Sequence, residues 1–141
     1  MSVLQNIQLA VLDELARTAE LSNVSLSAEG ITPPTAYVKS ACRLTVMLPE
    51  AQSCARYGNR AVLKDVDLCV EIAAPKFPES GTPRTADIAE CVCKRLHNMR
   101  AGMDFSRGRL TLRAKTPIER GKAGAGGESC KIHFMINNVI L

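Results

Sequence analysis

Tryptophan is absent from this chain, and two tyrosines and three phenylalanines are its only aromatic residues among 141. Base-stacking platforms and aromatic sugar-binding walls are hard to build from so little. No apolar run approaches the roughly 20 residues that span a bilayer. The opening MSVLQNIQLAVLDEL lacks the basic start and unbroken apolar stretch of a secretory signal. A soluble, cytosolic protein with no membrane partner is the expectation. Six cysteines are too few for a disulfide scaffold in a chain of this length. Cys42, Cys69 and Cys130 fall in strand patterns, and Cys91 and Cys93 in a helical one. Reduced structural thiols are therefore expected over disulfides or a metal site.

Acidic charge is scarce at one end. Residues 1–94 hold 9 Lys+Arg and 11 Asp+Glu, whereas residues 95–141 hold 9 and 3. The chain is polarised, with a net charge of +4 concentrated in its last third. Such polarity suits contact with an oppositely charged neighbour, or proximity of the basic part to nucleic acid.

What is abundant is alternation. In RAVLKDVDLCVEI, residues 60–72, Val66, Leu68, Val70 and Ile72 point one way and Asp65, Asp67, Cys69 and Glu71 the other. A period of two with one apolar and one charged face marks a strand covered on one side only. Similar strands are predicted over 38–48, 107–115 and 129–137. Arg109, Arg113, Lys115, Lys131 and His133 fall on their open faces. Helical spacing of Leu4, Ile7, Val11, Leu12 and Leu15 after Ser2 predicts a first helix. Thr82-Pro83, followed by Ile88, Val92, Leu96 and Met99 and stopped by Gly102, predicts a second. The turn-rich 22–35, the connection 49–59 and the glycine-laden 119–128 are expected to be loops, the last a flexible hairpin tip. The resulting fold is α+β and a single domain over 1–141. One four-stranded, mainly antiparallel sheet is packed by two helices in the order α-β-β-α-β-β.

None of the motifs carries chemistry. GKAGAGGES resembles a phosphate loop, yet Lys122 is followed by Ala123 where that loop needs Ser or Thr. Cys91 and Cys93 point about 200° apart on a helix and cannot readily clasp one zinc. His97 sits near a helix end, and His133 is expected far from any serine or cysteine partner. Asp65, Asp67 and Glu71 share a strand face without an accompanying pocket. No enzyme, catalytic residue, cofactor or metal is expected. The candidate contact residues are Asp65, Asp67, Glu71, Arg109, Arg113, Lys115, Arg120, Lys122 and Lys131. Cross-strand ion pairs between the Asp65, Asp67, Glu71 set and Arg109 or Arg113 are expected if these lie on one face.

Element order and several phrases resemble the tail-terminator and tail-completion (head-tail joining) proteins of tailed bacteriophages. These are the opening VLQNIQLAVLDEL, TPPTAYVKSACRLTVML, KDVDLCVEI, TADIAECVCKRL, and the final LTLRAK and CKIHFMINNVI. The likeness is one of pattern and order along nearly the whole chain. It implies a nonenzymatic virion protein of the tail or neck, assembled in the host cytoplasm. It further implies a cyclic homo-oligomer, commonly a hexamer, that caps the tail tube protein and joins it to the head-tail connector protein. The exposed sheet face and the 119–128 loop would be the contact elements. Another connector or baseplate subunit is the first alternative. A small basic nucleic-acid-binding module, near DNA through Arg107, Arg109, Arg113, Lys115, Arg120 and Lys122, is the second.

Overall fold

The computed structural model describes residues 3–30, 42–58, 61–75, 84–101, 110–115, 118–122 and 127–140. Two long strands form its spine. β4 (Ala61–Ala74) and β8 (Glu128–Ile140) run antiparallel, with Cys69 opposite His133 near the middle of the ladder. Each spine strand carries a broken partner on its outer edge. On β4 these are β2 (Arg43–Val46) and β3 (Glu50–Gly58); on β8 they are β6 (Leu110–Ala114) and β7 (Glu119–Lys122). A proline lies in sequence between the two pieces on each edge, Pro49 and Pro117. Proline has no amide hydrogen to give the ladder, so a continuous edge strand is disfavoured there. β1 (Ser25–Ala28) adds parallel to β2, and the two-residue β5 (Arg100–Ala101) adds antiparallel to β6.

This mixed sheet of eight strands replaces the expected four-stranded antiparallel one, and the element order differs with it. The discrepancy has local causes. Serines dilute the alternation of Leu26 and Ala28 in β1. Residues 50–58 read as a connection beside Pro49 and Gly58, yet they pair with β4. Glycines mask β7, whose Glu119–Lys122 pairs with Lys131–Glu128. The expected flexible tip at 119–128 is thus strand at both ends. Residues 123–126 lie outside the described residues, as do 38–41 and 107–109 of the predicted strands.

The apolar sheet face is sealed by two helices. Val66, Leu68, Val70 and Ile72 of β4 and Ile132, Phe134 and Ile136 of β8 are fully buried, joined by Leu44, Val46 and Leu112. Each such side chain stabilises the fold by about 1.5–3 kcal/mol. Helix α1 (Val3–Ala16) contributes Ile7, Val11 and Leu15, and α2 (Thr85–Leu96) contributes Ile88, Ala89, Val92 and Leu96. Gln8, among the apolar residues of α1, is also buried. Its Nε2 donates to the carbonyls of Glu29 (3.0 Å) and Val46 (2.9 Å), tying α1 to the ends of β1 and β2.

Helix α2 departs from its predicted bounds. Its N-cap is Arg84, while Thr82 and Pro83 lie outside the described residues, as does Ser2 at the predicted start of α1. It stops at Leu96 because Asn98 takes a left-handed conformation, with φ of 63°. Asparagine tolerates that region better than most residues. Gly102, the expected stop, lies outside the described residues. The chain then turns onto β6. Asn98 N–H donates to Leu112 O (2.8 Å), Leu112 N–H to Met99 O (3.0 Å), and Ala114 N–H to His97 Nδ1 (3.1 Å). His97 therefore caps an edge amide of the sheet, a role its sequence position does not reveal.

Candidate interaction surface

The face of the sheet turned away from the helices holds most of the predicted contact residues, in rows set by strand register. One row runs Thr45, Glu71, Lys131, Glu119 across β2, β4, β8 and β7. Another runs Glu50, Asp67, Met135, Arg113 across β3, β4, β8 and β6. Between them Cys69 faces His133, and Lys115 N–H donates to the His133 carbonyl (2.8 Å).

β8 lies between β4 and β6, so Arg113 stands opposite Met135 and not opposite an acid. Among the described residues the expected pairing of Arg113 with the β4 carboxylates is not seen, and Met135 of β8 stands between Arg113 and Asp67. Lys115 does reach Asp67, with Nζ 3.4 Å from Oδ1. Asp65 sits where the β4–β8 register shifts and is half-buried. Glu71 is half-buried, and Arg113 and Lys131 are exposed. Arg120 is in register with buried Cys130 and so belongs to the helix side. There it lines a cavity of about 650 Å³ with Arg84, Thr85, Cys93 and Glu128. Of Lys122 only the backbone is described, paired with Glu128, and Arg109 lies outside the described residues.

The centre of this face is a relay the sequence reading missed. His133 Nδ1 lies 3.0 Å from Asp67 Oδ2, and its Nε2 lies 3.5 Å from Glu119 Oε1. Asp67 and His133 are only 19% and 27% exposed. Asp67 Oδ1 and His133 Nε2 are shielded from solvent without a hydrogen bond of good geometry, and the contacts from Lys115 and Glu119 are what reach them. The expectation that His133 stands far from any cysteine fails, since Cys69 is its direct cross-strand neighbour. The signal was present in the matching alternation of 65–71 and 129–135, but only the register makes them neighbours.

Cys69, His133 and Asp67 have the residue types of a nucleophilic triad. The thiol is not activated, however. Burial pushes Cys69 up to about 11; Lys131 works against the rise, and Asp67, Glu71 and Glu119 add to it. At pH 7 only about one thiol in ten thousand would be ionised. The arrangement suits electrostatic cross-bracing of β4, β8 and β7 far better than attack on a substrate. Among the described residues, no group of three or more His, Cys, Asp or Glu could hold a metal ion, and no helix is long and apolar enough to cross a membrane.

On the opposite side, the Ala19–Leu21 3-10 turn and α2 enclose a cleft of about 430 Å³. Glu20, Asp87, Glu90 and Cys91 line it together with Lys94 and Arg95, so its charge is mixed. Lys94 pairs with Glu90 (3.0 Å), and Arg95 reaches across to Glu14 of α1 (2.9 Å).

No known protein family and no curated protein matches the sequence. Solved structures do match in fold. A chain of the structure described as "Virion of native gene transfer agent (GTA) particle" is 14% identical, with a TM-score of 0.69 over 98% of both chains. A second solved chain, whose designation carries no functional term, is 17% identical, with a TM-score of 0.54 over 99% of both. At these identities the likeness is one of fold: nearly the whole chain adopts the architecture of a component chain of a gene transfer agent virion.

Proposed function

We propose that this chain is a structural virion protein of a phage or phage-like particle, acting without catalysis or cofactor. Within that role, its place is the tail or neck. There it forms a ring that ends the tail tube and joins it to the head connector. The observation that carries the proposal is the end-to-end fold match to a chain of a gene transfer agent virion. The suppressed ionisation of Cys69 supports the nonenzymatic part, since the thiol beside His133 and Asp67 is a poor nucleophile. The tail-terminator assignment itself draws on the sequence resemblance.

Native mass spectrometry and negative-stain imaging of the purified chain test the ring: a closed cyclic assembly is expected, and a strictly monomeric chain counts against it. Immunogold labelling of particles tests the position. Label at the head-tail junction is expected, and label at the distal tail end would move the protein to the baseplate alternative.

A further inference from the structure

We infer that His133 is a proton-operated latch for β7. Protonation of its Nε2 fastens Glu119, and with it the β7 edge, to the β4–β8 spine; loss of that proton releases the tie. Hydrogen-bond chemistry fixes where the ring hydrogen sits. Asp67 Oδ2, a carboxylate oxygen, only accepts, so His133 Nδ1, 3.0 Å away, carries the hydrogen between them. In the neutral ring Nε2 is then a bare lone pair. It is shielded from solvent, has no hydrogen-bond partner, and lies 3.5 Å from Glu119 Oε1. Two acceptors meet there, and a shielded polar atom without a partner is costly. One proton taken from solvent onto Nε2 turns the same contact into a charge-assisted hydrogen bond. Imidazole is the side chain that ordinarily exchanges a proton between about pH 5 and 8.

The groups around the ring decide which contact the proton controls. β4 supplies Asp67, Glu71 and Cys69, the last directly opposite; β7 supplies Glu119. β8 itself supplies Lys131, in register with Glu71 and Glu119, while Arg113 of β6 and Lys115 just beyond it flank Met135 and Asp67. Lys115 Nζ lies 3.4 Å from Asp67 Oδ1, so that carboxylate already has a cation. Cys69, pushed up to about 11 by burial, stays neutral across the imidazole range. Glu119 has no ion pair but the one to His133 among the described residues. Its side chain is 63% exposed, so water screens the bond and the latch is a modest one. β7 is only four residues long and pairs with β8 alone among the described strands, so one side-chain tie matters to it. Because the bond exists only with the proton in place, β7 docking gains it as pH falls from 8 to 6 and loses it on return.

Amide hydrogen exchange on the full chain tests the latch, read at pH 6 and pH 8 and corrected for the intrinsic pH dependence of exchange. Protection of the Glu119–Lys122 amides should be on the order of threefold higher at pH 6, the scale of one exposed ion pair. The Leu68 and Val70 amides of the spine serve as the internal reference. His133→Gln removes the titrating ring and should abolish the difference. Glu119→Gln should abolish it too, since its amide can donate to the neutral ring as readily as it accepts from the charged one. Circular dichroism checks that both variants fold, and Glu119, being exposed, keeps the test open where His133→Gln does not. Equal β7 protection at the two pH values in wild type overturns the latch. So does a pH difference that survives Glu119→Gln. The latch lies within one chain, so it stands or falls apart from the ring.

Discussion

Asp67 and His133 face each other across the β4–β8 spine, with Oδ2 and Nδ1 3.0 Å apart. They sit at the middle of the one large sheet face that the helices leave open. Together with Glu119 and Lys115, they link β4, β8, β7 and the end of β6 through side chains as well as backbone.

Replacing Asp67 by Asn removes the charge from that brace while keeping its shape. A loss of about 1.5–3 kcal/mol is expected, the range of hydrogen bonds to charged groups. Urea unfolding measures it. An Asp67→Asn, His133→Gln double-mutant cycle should show coupling between the two. Strictly additive losses would mean that the contact stabilises nothing.

Gly127 is required by a close approach. A Cβ there would collide with the Ala74 carbonyl oxygen at the end of β4 and press on its carbon at 3.2 Å. Backbone cannot step aside cheaply, so Gly127→Ala should cost about 1–3 kcal/mol. At Gly121 the nearest atom is Ser129 Oγ at 3.2 Å, the movable tip of a side chain. Gly121→Ala should therefore cost less than Gly127→Ala in the same denaturation series.

Gln8→Leu tests the buried clamp between α1 and the β1–β2 ends. The Val46 carbonyl keeps a second donor, the Glu29 N–H at 2.9 Å, but the Glu29 carbonyl loses the side-chain donor that Gln8 supplies. A destabilisation of about 1–3 kcal/mol is expected. A variant as stable as wild type would show that burying the added hydrocarbon offsets the lost bonds.

Alkaline pH should destabilise the protein through its thiols. Burial raises Cys42, Cys69, Cys91, Cys93 and Cys130 above the usual 9.0, Cys69 to about 11. An unfolded chain releases these protons near pH 9, whereas the folded chain holds the Cys69 proton until about pH 11. The unfolded state then binds fewer protons, so stability present below pH 9 is lost as pH rises toward 11. Thermal midpoints recorded from pH 8 to 11 should fall less steeply for Cys69→Ser than for wild type. Equal slopes would show that the thiol does not contribute.

Much of the burial pattern was legible in residue order. Val66, Leu68, Val70 and Ile72 alternate with acids, and Ile7, Val11 and Leu15 recur at helical spacing. These periods come from the geometry of one strand or one helix and need no knowledge of neighbours. Elements with weak local signals were not legible. β1 is diluted by serine, β3 follows a proline and ends in a glycine, and β7 contains one. β3 and β7 exist because the long strands β4 and β8 offer them an unpaired edge, and β1 because the short β2 does, which no local window displays.

The candidate surface divides in the same way. That Asp67, Glu71, Lys131 and His133 turn from the core follows from alternation within their own strands, and the sequence alone determined it. Which of them touch was decided by the tertiary structure. Placing β8 directly beside β4 separated Arg113 from the acids and brought His133 against Asp67 and Cys69. Register joins residues more than sixty positions apart, and it is set by the packing of the whole buried face, so no stretch of chain contains it.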